Sequence, residues 1–257
     1  MLDVGQGSAT VVETAEHVAV VDCGPRFSPS FNAGEALIAP FLQARGWAGV
    51  DRLLVSHGDG DHHGGCAGLR RRLPVASVVG APGAVAEAGA VVRRGDGWRW
   101  DGVRFRILYP ATPQAAEGNA ASRVVQVVAE GGSVLLPGDL EAAGEARLLA
   151  RSPDLASDVV VAPHHGSTTS STPPFVRAPD PRWALFSVGY RNRWGFPAPE
   201  VVARYERAGA RIRTTAGSGA LRVRLGPGVT VSAFRPRADH YWNAGAARPP
   251  VSPLLGP

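Results

Sequence analysis

The feature that most constrains this chain is Ser56-His57-Gly58-Asp59-Gly60-Asp61-His62-His63-Gly64-Gly65. It lies between the apolar run Leu53-Leu54-Val55 and a small-residue segment, Gly64 to Leu73, that can open a helix. Two carboxylates and three imidazoles crowd into residues 57–63, a density unlike that of a solvated loop. His57, Asp59 and Asp61 alternate, and His62 follows at once. A strand leaving its sheet can therefore aim the first pair at one point and the last pair at a neighbouring one, which suits two adjacent metal ions. The glycines at 58, 60, 64 and 65 remove bulk and permit the backbone angles that such convergence needs. The plainer alternative is a polar turn whose residues bond one another.

The rest of the chain is sufficient to build a scaffold for that stretch. Its 257 residues are 44% hydrophobic, enough for one large domain, expected over residues 1–235. Residues 236–257 are dominated by Pro, Ala, Gly and Arg and read as a flexible tail. No run of about eighteen apolar residues is present, so no membrane span is expected. No signal peptide is expected either, since Asp3 stands where a basic region would be needed, and the location of the protein stays open. The net charge of +5 and the pI near 10.0 come from arginine alone, whose planar fork pairs well with phosphate. Cys23 and Cys66 cannot form a disulfide framework and are expected as buried thiols.

Strand-like and helix-like segments alternate along the chain. Ala9 to Val12 and Val18 to Val21 read as a hairpin, with Asp22 at its exit, expected behind or beside a site rather than as a ligand. Gly34 to Gly46 reads as a helix despite Pro40, and Trp98 to Leu108 as a hairpin turning at Asp101-Gly102 whose tryptophans serve packing. Val124 to Ala129 and Ser133 to Leu136 form another hairpin, followed by a helix over Leu140 to Arg151. Asp158 to Ala162 and Arg182 to Val188 read as strands, Pro199 to Gly209 as a helix and Arg211 to Thr214 as a strand. The hairpin around Gly226-Pro227-Gly228 is expected to complete a sheet. This alternation predicts α/β layering.

Chemistry-bearing residues sit where these strands end. Asp139 follows Pro137-Gly138, and Val159-Val160-Val161-Ala162 runs straight into His164-His165. His164 is expected to be the ligand of a second ion, and His165 a supporting or substrate-facing group. Ser167 and Thr169, just before the helix start at Pro173-Pro174, offer hydroxyls and amides that suit an anionic oxygen, although helix capping accounts for part of that run. Arg191 and Asn192 could hold phosphodiester oxygens or be merely solvated. No histidine occurs between His63 and His164, so a first ion would need oxygen ligands.

His57-x-Asp59-x-Asp61-His62 resembles the metal motif of the metallo-β-lactamase superfamily, in the variant with aspartate at its second position. Further segments are similar to the C-terminal hydrolase domain of ComEC-type DNA-internalisation proteins. These are Leu2-Asp3-Val4-Gly5-Gln6-Gly7, Asp22-Cys23-Gly24, Leu136-Pro137-Gly138-Asp139, Asn119-x-x-Ser122, Pro163-His164-His165-Gly166-Ser167 with Thr169-Ser170-Ser171, and Ser187-Val188-Gly189-Tyr190-Arg191-Asn192-Arg193.

The resemblance implies an αββα sandwich of two mixed sheets flanked by helices. It implies two divalent ions, zinc or manganese, on His57, Asp59, Asp61, His62, Asp139 and His164, with Asp139 bridging. It further implies that Asp61 orients the attacking water and that DNA, single-stranded, is cleaved during its uptake. In the family, a membrane channel domain and an oligonucleotide-binding domain accompany this one, and the whole is attached to the inner membrane, facing outward. Two departures stand out: Phe196 and Ala198 replace the histidines of the family's G-H-P-H-P, and Ser8 replaces an aspartate. The motif itself also leaves open a hydrolase of a small lactone or thioester, and the departures leave open a non-catalytic domain binding DNA or a partner.

Overall fold

The computed structural model describes residues 1–84, 89–112, 118–152 and 154–235. The tail expected over 236–257 lies outside them.

Strands of this chain are apolar on both faces, and the two faces go to different cores. Val18, Val20, Leu53 and Val55 pack with Ile38, Leu42 and Leu69 of an outer helical layer. Their neighbours in sequence, Ala19, Val21 and Leu54, point the other way. In the second sheet, Val160, Ala184 and Phe186 pack against Leu148, Val176, Val201 and Tyr205 of the opposite helical layer. Val159, Val161 and Leu185 face inward to meet Ala19, Val21 and Leu54. A strand's period of two thus divides each run between a sheet–sheet core and a sheet–helix core, and the molecule is an αββα sandwich.

The first sheet is ordered Thr10–Glu13, Val18–Val21, Arg52–Val55, Val78–Gly80, Ala90–Val91, antiparallel at its first pairing and parallel at the rest. The second is ordered Arg211–Thr214, Trp183–Phe186, Val159–Val161, Gly132–Leu136, Val124–Ala129, Val103–Tyr109, Gly97–Trp100. Its first four strands run parallel and the others antiparallel. The parallel strands Arg52–Val55, Gly132–Leu136, Val159–Val161 and Trp183–Phe186 all deliver their C-terminal ends to one edge of the sandwich, where α/β proteins place their ligands.

Several expectations change in detail. The helix over 34–46 is a wide turn, Gly34–Ile38, followed by an α-helix, Ala39–Ala44. Pro40 lacks an N–H and sits in the first turn of the second piece, where none is required. The closing hairpin, Leu221–Gly226 with Gly228–Ala233, forms a two-stranded sheet of its own instead of completing a larger one. A short hairpin, Arg26–Ser28 with Phe31–Asn32, was not legible in the sequence. Trp98 stacks on Phe105 with ring centroids 4.5 Å apart, and the Arg52 guanidinium lies 4.5 Å from its ring, so the tryptophan is packing.

Candidate metal centre

Three strand ends supply the candidate ligands. Arg52–Val55 runs into Ser56, His57 and then Asp59, Asp61 and His62 in a single helical turn, Gly60–His63. Gly132–Leu136 runs into Gly138, whose φ of +60° turns the chain so that Asp139 points inward. Val159–Val161 leads to His164 and His165, both with left-handed backbone at φ 50° and 55°. For residues with side chains such a conformation costs about 1–3 kcal/mol each. The surrounding bonds hold it: His164 N donates to Gly138 O at 3.2 Å and Ser167 N to His164 O at 2.8 Å.

Asp61, His62, Asp139 and His165 bring one ligand atom each to within 4.8 Å of all the others. His62 Nε2 is 2.9 Å from Asp139 Oδ1, His165 Nε2 is 3.2 Å from Asp61 Oδ2 and 3.5 Å from Asp139 Oδ2, and the two Nε2 atoms are 3.2 Å apart. The far side of each ring is fixed. His165 Nδ1 lies 2.8 Å from the carbonyl oxygen of Ser187, which can only accept, so Nδ1 carries the proton. His62 Nδ1 is 2.7 Å from Asp22 Oδ2. Asp22 in turn accepts from Ser56 N at 2.7 Å and Ser56 Oγ at 2.8 Å. With Nδ1 of each ring occupied in this way, both Nε2 atoms are turned toward two carboxylates. That is a ligand arrangement with the outer support typical of metal sites.

The electrostatics express the same demand for positive charge. Burial disfavours an imidazolium at His165, yet Asp139 and Asp61 more than offset it and hold the pKa up at about 9. Burial likewise works against His62, but Asp139 and Asp22 raise it well above its ordinary value. Burial would raise Asp139, and His165 and His62 instead hold it well below the carboxylate range. A cluster that draws in protons in this way is competent to exchange them for a cation.

His57 stands beside this cluster, its ring centroid 4.3 Å from that of His62. Its Nδ1 is 2.9 Å from Ser56 Oγ, and its buried Nε2 has no hydrogen-bond partner. Asp59 Oδ2 lies 3.6 Å from that nitrogen. Burial, then the neighbouring His62, lowers the His57 pKa, so it is a neutral donor. The Oδ1 of Asn119 is also buried without a partner. The segment carrying it is tied to the same place, through Arg123 N donating to Ser56 O at 2.9 Å and Ser122 Oγ accepting from Asp139 N at 3.0 Å. The orphaned Nε2 of His57, with the Asp59 carboxylate beside it, fits a first cation held by oxygen and a single histidine. The donor set, imidazole with carboxylate oxygen, suits borderline divalent ions.

The two adjacent histidines exchange their expected positions. His165 is buried in the inner cluster, while His164 stands at the rim, its Nε2 3.9 Å from Asp139 Oδ2. Consecutive left-handed residues turn the two rings 65° apart, an outcome that spacing alone could not decide. Thr169 stands with His164: its Oγ1 donates to Glu141 Oε1 at 2.9 Å and lies 3.1 Å from His164 Nδ1. Glu141 was not singled out in the sequence; its position two residues after Asp139 was the available signal. Ser167 is buried behind Thr169, with hydroxyls 3.1 Å apart. Asn192 is engaged within its own loop, donating to Gly189 O and Phe196 O and accepting from Phe196 N, so its amide does not face the site. Arg191 lies over Tyr190. Phe196, in the position of a family histidine, stands edge-on to His164 at 5.8 Å.

A sandwich of this kind with histidines and aspartates from both sheets gathered at one edge defines the metallo-hydrolase class. The chain belongs to the metallo-beta-lactamase superfamily, whose family model matches residues 2–188, and the superfamily implies divalent metal ions. It is similar to Competence protein ComA of Neisseria gonorrhoeae, 36% identical over 242 residues that make up 93% of this chain and 34% of that protein. It is also similar to ComE operon protein 3 of Bacillus subtilis, 30% identical over 87% of this chain and 32% of that protein. The chain thus spans about a third of the length of the curated relatives it matches. The metallo-beta-lactamase fold protein YhfI from Bacillus subtilis shares the fold, with a TM-score of 0.54 over 83% of this chain and 95% of that one, at 9% identity. No helix among the described residues is long and apolar enough to cross a membrane.

Proposed function

We propose that this chain is a two-ion phosphodiesterase acting on DNA, and that it serves DNA uptake. The observation that carries the hydrolase part is the meeting of His62 and His165 Nε2 with Asp61 and Asp139 oxygens at one point, beside the unpartnered Nε2 of His57. The choice of DNA is supported by the similarity to a competence protein and by a chain whose net charge is +5.

Under this reading, zinc or manganese would be held by Asp61, His62, Asp139 and His165, with His57 and Asp59 beside them for a second ion. When bound, such ions supply Lewis acidity that activates water and offsets charge on a phosphodiester. Asp61 is the acid of the inner cluster most open to solvent, so it orients the water and takes its proton. His164, steered by Thr169 and Glu141, faces the mouth and is placed to protonate the leaving oxygen. Asp22 and the Ser187 carbonyl keep both inner rings in the tautomer that the site needs.

The test is metal analysis of the purified protein followed by cleavage of single-stranded DNA with manganese, zinc or magnesium. The expected outcome is about two ions per chain and an activity that Asp61→Ala lowers by roughly 100-fold or more. A protein that holds no divalent ion and cleaves no phosphodiester would leave only a binding domain.

A further inference from the structure

Resting on the phosphodiesterase reading, we propose that two aromatic loops at the mouth of the site, residues 26–31 and 190–194, form a stacking clamp for the unpaired bases of a single strand. Phe27, Phe31, Tyr190 and Trp194 are each about half exposed, at 48%, 50%, 59% and 51%. Half-exposed rings gathered in this way ordinarily mark an interaction site. The loops face one cavity of about 720 Å³, whose lining includes Phe27 and Trp194 together with Asp61, His63, Arg26 and Arg70. Phe27 and Trp194 therefore border the same space as the inner carboxylate.

Both loops are held in place. Phe27 stacks on Phe31 with centroids 5.0 Å apart. The segment Gly5–Gln6 lies between the loops: a Cβ at Gly5 would come within 3.8 Å of the Phe27 ring, and Gln6 Oε1 accepts from Gly189 N at 3.2 Å. Across the second loop, the Asn192 amide closes the turn onto Phe196, which stands against His164. The loop is thus anchored at the catalytic rim and reaches from there to Trp194.

The chemistry of the patch selects its occupant. Arg193 lies 4.4 Å from the Trp194 ring centroid and Arg191 5.3 Å from that of Tyr190. Each ring on that loop therefore has a guanidinium on one face, suited to phosphate and to stacking. Rings for base faces beside cations for the backbone are the means by which proteins hold single-stranded nucleic acid without reading its sequence. A duplex keeps its base faces covered and offers the rings nothing. The cavity that the rings border carries Arg26 and Arg70 against one carboxylate, Asp61, which favours a polyanionic occupant.

The experiment reads the anisotropy of a labelled oligothymidylate with the full chain in EDTA, where hydrolysis does not occur. Trp194→Ala and Phe27→Ala are each expected to weaken binding roughly 5-fold or more, with Trp194→Phe recovering most of the loss. Arg191→Gln and Arg193→Gln should instead flatten the salt dependence, by about one unit of slope each, which the ring variants leave intact. Phe234→Ala, an exposed ring outside the two loops, should change nothing, and a duplex of equal length should bind several-fold more weakly. Unaltered affinity in the ring variants, or equal affinity for duplex, overturns the clamp and leaves the patch to a protein partner. Ring-dependent binding in a protein that cleaves no phosphodiester overturns the hydrolase reading alone; cleavage without ring-dependent binding overturns the clamp alone.

Discussion

At the residue scale, the site turns on which nitrogen each imidazole presents. Asp22 fixes that choice for His62 through a 2.7 Å contact, and it lies too far back to meet a cation directly. Asp22→Ala should therefore leave the ligand set intact while lowering divalent-ion affinity roughly 10–100-fold, a loss that titration calorimetry would register. The two adjacent histidines offer a sharper comparison. His165→Ala is expected to lose bound metal, because its Nε2 meets Asp61 and Asp139. His164→Ala should keep the metal and lose roughly 100-fold in turnover, since its ring stands at the mouth. Metal content and kcat measured on both variants decide the assignment, and a His164→Ala protein without metal would restore the reading that sequence order suggested. Order alone could not separate the two residues: a one-residue step in a left-handed turn sends neighbouring side chains in different directions, and nothing in Pro163-His164-His165-Gly166 reveals that turn in advance.

At the element scale, the two sheets are latched at their hairpin turns as well as through their shared core. Asp101, at φ 48° in the turn after Gly97–Trp100, accepts from Thr14 Oγ1 at 2.6 Å and from Glu16 N at 2.9 Å, and lies 3.1 Å from His17 Nδ1. The Thr14 hydroxyl, then the Glu16 amide and His17, lower its pKa from 3.8 to about 2. The folded-state pKa is depressed, so the latch is fully present above the unfolded value and is lost as pH falls toward about 2. Asp101→Asn keeps a residue that tolerates the left-handed turn and removes only the charge. Its stability deficit against the parent chain, measured by denaturant unfolding, should be visible at neutral pH and vanish near pH 2. The turn was legible, because Asp-Gly between apolar alternations is a strong hairpin signal. Its partner across the sheets was not, because residues 14–17 and 101 share no local pattern.

For the whole molecule, the sandwich and the site depend on each other, since the ligands come from the ends of strands in both sheets. Leu54, fully buried between the sheets, is flanked on its own strand by the run into His57. Leu54→Ala should destabilise the fold by about 2–5 kcal/mol in denaturant unfolding and reduce metal affinity with it, as the strand ends lose their common register. The family, the layered α/β architecture and most of the chemical groups could be read from the chain alone, because hydrophobic period and strand-exit motifs are local properties. The helix at 34–46, the free-standing closing hairpin and the aromatic hairpin at 26–32 were less accessible, since pairing partners and helix breaks depend on what packs alongside. Sequence by itself determined which side chains are available to grip a cation, because residue type sets ligand chemistry. Only the tertiary structure decided that His165 goes inward and His164 to the rim, that Asp22 stands behind His62, and that Asn192 closes its own loop. Those outcomes depend on distances between segments remote along the chain, and they are set when the two sheets pack.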